Sequence, residues 1–287
     1  MLTSRDAAAR VEQADTCYLE ARLGALAALP GNPYGAEIRR VGDARAFLVA
    51  RLPGPLFNHV SGLTEASAGQ LGELASWYAG NGRAIRVDVT PAQASPALFE
   101  ALSRHGLSQV GFYSGLYAEA GPSAGCPGPA ADPGPPADPG PASAGQATGI
   151  AIAEADPDEF AQLYVAGFGF PESRHAAMME SILVLAGCPG ARFFLARTGS
   201  RPAGVGLLFA AAGTGYLATA ATLPGMRGRG VHTELIRHRI GVASSAGCDL
   251  IVGHAAAGSV SQHGMERCGL RLAYTKAMWA SPAGPAR

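Results

Sequence analysis

Charge of either sign is scarce in this chain of 287 residues. Asp, Glu, Lys and Arg make up 15% of it, and 22 basic side chains balance 22 acidic ones. That balance excludes a protein whose main work is coating nucleic acid or an anionic membrane, and leaves room only for a local basic site. Cysteines are few and scattered. Cys17, Cys126, Cys188, Cys248 and Cys268 are odd in number and never spaced as C-x-x-C. This excludes a disulfide framework and a zinc site, so no metal is expected, and free thiols in a reducing compartment are. Long apolar runs are missing too. The nearest, "GVGLLFAAAGTGYLATAA", is broken by glycines and threonines and falls short of a spanning helix. The opening "MLTSRDAAARVEQAD" has no apolar centre and does not read as a secretory leader. A soluble, cytoplasmic protein is expected.

Ala, Gly and Pro are abundant, and their distribution marks one boundary. "GPSAGCPGPAADPGPPADPGPASAGQ", residues 121–146, holds no large apolar side chain, so a solvated linker, partly polyproline II, is predicted over 121–147. It separates a domain at 1–120 from one at 148–287.

Strands and helices interleave in the second domain, an α/β (α+β) pattern around a mixed central sheet flanked by helices. "GIAIAEA" reads as a strand, and "DPDEFAQLYVAGFG" as an Asp-capped helix. "PESRHAAMMESILVLAG" reads as a second helix from Pro171 to Gly187. "ARFFLART" and "RPAGVGLLFAAAG" form a strand pair turning at Gly199-Ser200, and "TGYLATAATLP" a further strand. A helix over about 230–246, the strand "CDLIVGH", a helix over about 259–267 and the strand "LRLAYTKAMW" complete it. The first domain ends similarly: "ALSRHGLSQVGFYSGLY" parallels "GMERCGLRLAYTKAMW", which points to a degenerate internal repeat.

The stretch that carries chemistry is "LPGMRGRGVHTELI", residues 223–236. A strand end, a glycine-bearing turn and a helix start gather free backbone N–H groups at a positive helix terminus, a device for holding phosphate. Gly228 and Gly230 let the backbone approach a ligand, while Arg227 and Arg229 offer charge-assisted contacts. No G-x-G-x-x-G and no G-x-x-x-x-G-K-[ST] is present.

The string Arg227-Gly228-Arg229-Gly230-Val231-His232 resembles the pyrophosphate loop, [QR]-x-x-G-x-[GA], of the GNAT family of acyl-CoA-dependent N-acyltransferases. His232 departs from the small final residue. The resemblance extends over about 148–281 through element order and a later block, "MERCGLRLAYT". It implies two GNAT-like domains, the first without a phosphate loop, since "GLTEASAGQLGEL" stands in its place. It implies acetyl-CoA, or another short acyl-CoA, as co-substrate. Backbone groups of Ala221, Thr222 and Leu223 would pair with the pantetheine, and N–H groups from Gly228 through Val231 and His232 to Thr233 would hold the pyrophosphate. The acceptor is a small-molecule or peptide amine attacking the thioester directly.

Two family features are missing. The Tyr that protonates the leaving thiolate is replaced by Met265, and a cofactor-contacting Asn by Gly258. Either water, Ser259 or Ser261 supplies the proton instead or the thiolate leaves unaided, with Ser259 also placed at the cofactor. No Glu occurs on the strand before the loop. His254, just past the next strand, Tyr216 or Thr219 acting through water, and His175 beside the acceptor site are the candidate bases. Three readings stay open: an amine acyltransferase, an acyl-CoA-binding module without catalysis, and a structural protein binding another phosphate ligand.

Overall fold

A computed structural model describes residues 4–52, 54, 56–120 and 149–281. The linker expected over 121–147 lies outside the described residues.

The first half opens with a long helix, α1 (Ser4–Ala27). Ala7, Val11, Ala14, Tyr18, Leu19, Leu23 and Leu26 recur on one face and are buried, as a helix of 3.6-residue period requires. Strands β1 (Ala36–Val41), β2 (Ala44–Val49) and β3 (His59–Ser61) follow, then α2 (Leu71–Gly80), β4 (Arg86–Val89), α3 (Pro96–Arg104) and β5 (Ser108–Glu119). The second half runs β6 (Ile150–Glu154), α4 (Pro157–Phe168), α5 (His175–Leu183), β7 (Ala191–Thr198), β8 (Arg201–Ala211), β9 (Thr214–Tyr216) and β10 (Ala220–Thr222). It finishes with α6 (Val231–Ser245), β11 (Leu250–Ala256), α7 (Val260–Arg267) and β12 (Arg271–Ala280). Asp156 caps α4 through the N–H groups of Asp158 and Glu159, as its sequence signal predicts. The second expected helix is shorter than "PESRHAAMMESILVLAG" suggests, being α5 flanked by 3-10 turns at Glu172–Arg174 and Val184–Gly187.

All strands join one mixed sheet in the order β1-β2-β3-β4-β12-β5-β11-β9-β8-β7-β6, with β10 on β8. The two parallel pairs are β3 with β4 and β11 with β9. The halves exchange their last strands. β5 lies between β11 and β12, and β12 lies between β4 and β5. The repeat seen in the sequence is therefore the pair of strands that locks the halves together, each following a left-handed glycine, Gly106 or Gly269. Such glycines end helices without the Cβ penalty other residues meet.

Alternation along the strands feeds three cores. Phe47, Tyr117, Val205, Leu207 and Val252 face α1, α4 and α5. Ala46 and Leu48 turn the other way, toward α2 and α3, and Leu116, Leu208 and Ile251 turn toward α6 and α7. Helix α1 crosses the middle of the sheet, touching strands of both halves. No helix among the described residues is long and apolar enough to cross a membrane.

Candidate active site

The single strand expected over "TGYLATAATLP" is broken, and the break makes the site. Tyr216 pairs with Val252, and the Leu217 N–H still reaches the Val252 carbonyl at 2.7 Å. Beyond it the Ala218 N–H turns back to the Tyr216 carbonyl, and β10 continues on β8 alone. A gap opens between residues 218–222 and the end of β11. Thr219 and Leu223 form backbone bonds to β8. By antiparallel alternation Ala221 does too, while Ala220 and Thr222 turn their backbone groups to the gap. Of the expected Ala221, Thr222 and Leu223, Leu223 spends its N–H on the Ala203 carbonyl of β8, and Thr222 is the one whose backbone turns to the gap.

Arg239 pins the break from behind. It is fully buried on α6 and donates to the carbonyls of Leu207 and Ala218, both at 2.9 Å, and of Leu235 at 3.0 Å. Burial lowers its pKa to about 10. Gly206 makes room, since a Cβ there would stand 2.9 Å from the Arg239 Nε. Buried guanidinium groups are rare, and the apolar pattern of α6 hid this one from the sequence reading.

After Leu223 a 3-10 turn (Pro224–Met226) leads into the glycine loop. Gly228 and Gly230 take φ of 74° and 80°, a region costly for other residues. Neither would crowd a neighbour with a Cβ, so backbone conformation rather than space is what requires glycine. The first α6 N–H to find a carbonyl is that of Glu234, on Gly230, which leaves the N–H groups of Val231, His232 and Thr233 at the exposed helix start. The arginines separate in role. Arg227 turns inward to the Gly167 carbonyl at 2.9 Å and the Thr222 carbonyl at 3.4 Å, tying the loop to α4. Arg229 is exposed and has no partner among the described residues.

His232 does not crowd the helix start. Its ring leans onto α7, where Ser261 Oγ lies 3.3 Å from Nε2 and the missing Cβ of Gly264 leaves space. Burial, helped by the charges of Arg239 and Arg267, lowers its pKa to about 4, so it is neutral near pH 7. Ser259 caps α7, accepting the Gln262 N–H at 3.2 Å. Met265 is buried beneath Gly253 and offers no hydroxyl.

On the opposite face, under α1, lies a buried polar cluster that the sequence reading missed except for His254 and Tyr216. His254 is the first β11 residue after Gly253, just past the last bond to β9. Its Nε2 lies 3.1 Å from the Tyr274 hydroxyl, and its Nδ1 is buried without a partner. Tyr274 donates to Glu12, and Ser61 donates to the other Glu12 oxygen. Tyr216 donates to Asp15 at 2.8 Å. Lys276 bonds Asp15 at 3.1 Å and lies within 3.8 Å of Glu12 and 3.7 Å of Asp88. Arg86 grips Asp88 with two bonds. Burial depresses the His254 pKa, and it lifts the Tyr216 and Tyr274 phenols far above their usual value, aided by Asp15 and Glu12 respectively. His175 stands apart from this cluster, its Nε2 on the Phe170 carbonyl at 2.7 Å. The missed members were invisible because Glu12 and Asp15 come from a stretch read only as a charged N-terminus.

The first half has no counterpart to the loop. After β3 the Thr64 N–H bonds Ser67 Oγ at 3.0 Å, and Glu65 opens a 3-10 turn. Among the described residues no group of three His, Cys, Asp or Glu side chains could hold a metal.

Comparison with known proteins follows the same division. Residues 158–270 match the family model described as the acetyltransferase (GNAT) family. No curated protein matches the chain. Among solved structures, a GCN5-related N-acetyltransferase from Kribbella flavida is 17% identical with a TM-score of 0.54, covering 92% of this chain and 96% of its own. One from Sphaerobacter thermophilus is 15% identical with a TM-score of 0.57, covering 80% and 74%. A conserved protein of unknown function from Staphylococcus epidermidis is 10% identical with a TM-score of 0.58, covering 86% and 94%. Residues 158–270 are thus similar to the acetyltransferase (GNAT) family, and the fold shared with these solved structures spans both halves.

Proposed function

We propose that the second half binds acetyl-CoA, or another short acyl-CoA, and transfers the acyl group to an amine of a small molecule or peptide. One observation carries this reading: a strand with a free edge runs through two left-handed glycines into a helix whose first N–H groups are unpaired. The gap-facing backbone of Ala220 and Thr222 suits the amides of an extended pantetheine arm. The N–H groups of Gly228–Thr233, with Arg229, suit a pyrophosphate. The thioester supplies an acyl carbon open to attack. The chain orients the amine, accepts its proton and stabilises developing charge with fixed dipoles. His254 is the base we favour, being neutral, buried and first beyond the break. Tyr216 gives its proton to Asp15 and so acts as a support, and His175 holds the loop between α4 and α5.

The first half, over about 1–120, is then a GNAT-like unit without a phosphate site of its own. Among the described residues Cys17, Cys188, Cys248 and Cys268 form no disulfide, which suits a reducing cytoplasm.

Met265 favours a second reading, an acyl-CoA-binding module without turnover. Calorimetry with CoA, with adenine nucleotides as competitors, tests the shared part. Thiol release from acetyl-CoA with a panel of amines separates the two readings. Tight nucleotide binding without CoA binding would overturn both.

A further inference from the structure

We propose that Glu12, on the N-terminal helix of the first half, is a positioning residue for the acyl transfer of the second half. Acting through Tyr274, it fixes His254 in the tautomer that leaves Nδ1 bare. This rests on the function proposed above.

The tautomer follows from a count of protons. A tyrosine hydroxyl has one proton to give, and that of Tyr274 goes to the Glu12 carboxylate. The Tyr274 oxygen can then only accept from His254 Nε2, 3.1 Å away. A neutral imidazole carries one N–H, so Nδ1 holds a lone pair. That atom is buried with no partner, which is costly unless a ligand proton completes it. His254 lies two residues beyond Val252, which accepts the last bond from the Tyr216–Leu217 strand, where the sheet parts.

The surroundings suit a base that becomes charged. The groups facing His254 are Glu12 and Asp15 from α1, Asp88 from β4, Tyr113 from β5, Tyr216 from β9, and Tyr274 and Lys276 from β12, and behind them His59 from β3 and Arg86 from β4 act on Asp15 and Asp88. Three carboxylates stand against two cations, so the cluster carries one formal negative charge while its histidines are neutral. Burial keeps His254 neutral at rest, and the carboxylates favour the imidazolium once it forms. An oriented imidazole backed by a buried carboxylate is a general device for such a step. As the amine nitrogen bonds the acyl carbon, its proton passes to Nδ1. The C–S bond breaks with its electron pair on sulfur, the thiolate takes a proton from the medium, and His254 returns its own proton to the medium.

The tautomer is read without any ligand. In histidine-labelled whole protein, nitrogen NMR, with the His254 signal identified by its loss in His254→Gln, is expected to show a protonated Nε2 and a bare Nδ1 at neutral pH. Tyr274→Phe removes the acceptor that holds this tautomer, and the signal should change to a mixture. With acetyl-CoA and a working amine, Tyr274→Phe should lower kcat about 10–100-fold, a part of the roughly 10²–10⁴-fold that general base catalysis supplies, at unchanged KM for acetyl-CoA. Glu12→Gln, which keeps shape and removes charge, should move the acid limb of kcat/KM to lower pH. The sign follows because Glu12 raises the His254 pKa, and a part with only a packing role would not move the limb. A proton on Nδ1 in the wild type, or an unmoved limb in Glu12→Gln, overturns the proposal. Failure to bind CoA overturns the underlying function instead and leaves the tautomer result standing.

Discussion

Replacing Lys276 with Met tests whether the two halves are joined through the buried cluster. Lys276 is 1% exposed and lies 3.1 Å from Asp15, 3.8 Å from Glu12 and 3.7 Å from Asp88. Met keeps most of the stem volume and removes the charge, leaving Asp88 with Arg86 and the two α1 carboxylates with hydroxyl partners only. Removing one partner of a buried ion pair costs about 3–5 kcal/mol, which for a chain of this size lowers Tm by roughly 6–20 °C. The loss should depend on pH in a definite direction. Burial pushes the Asp15 carboxyl up, but Lys276, foremost among the opposing groups, brings it below the usual range. Asp88 is also depressed: burial raises it, and His59, Lys276 and Arg86 together overcome that. A depressed carboxyl contributes stability above its unfolded pKa, about 4, and loses it as pH falls through the folded value. The wild type therefore weakens on acidification. In Lys276→Met the carboxyls protonate sooner, which relieves their repulsion. Urea unfolding at pH 7 and at progressively lower pH should show the gap between the two proteins narrowing as pH falls. A cost below about 1 kcal/mol at pH 7, or a gap that widens with acid, would refute the cluster as drawn.

The remaining predictions concern the cofactor face. Arg229→Ala should weaken CoA binding about 10–100-fold, the worth of one hydrogen bond to a charged group, at an unchanged melting temperature, both read from calorimetry and thermal melts. Arg227→Ala, which frees the loop from the Gly167 carbonyl, should lower both. In Gly167→Ala the new Cβ would stand 2.7 Å from that of Ala221; overpacking of about 1–3 kcal/mol should appear with weaker CoA binding, because β10 must shift. Arg239→Met orphans the Leu207 and Ala218 carbonyls at about 1–3 kcal/mol each and should raise the Kd for CoA as the break relaxes. A native Kd in that variant would show that the strand break holds without Arg239.

The sequence made the second half legible because its signals are local. Asp156, the glycines of the loop and the apolar periods of α6 and β8 act within a few residues of themselves. It also pointed to the two matching ends, β5 and β12, though not to their exchange. A strand flanked by either partner has the same alternation, so nothing in the pattern says which half it completes. Helix α1 escaped notice because Asp15 and Arg22 sit on its buried stripe and blur the apolar face. The buried polar cluster was hidden for a related reason. Glu12 meets Tyr274 across 262 residues of chain, a pairing that local reading cannot supply. The break between Tyr216 and Ala220 was also unreadable, because its anchor, Arg239, lies on another element.

The most direct test of the account is amine-dependent thiol release from acetyl-CoA, measured for the wild type and for Arg229→Ala across the same amine panel. The account predicts release that saturates with acetyl-CoA and requires an amine, with KM for acetyl-CoA raised in the variant. Absence of CoA binding to the wild type, or release that neither an amine nor Arg229 affects, would contradict it.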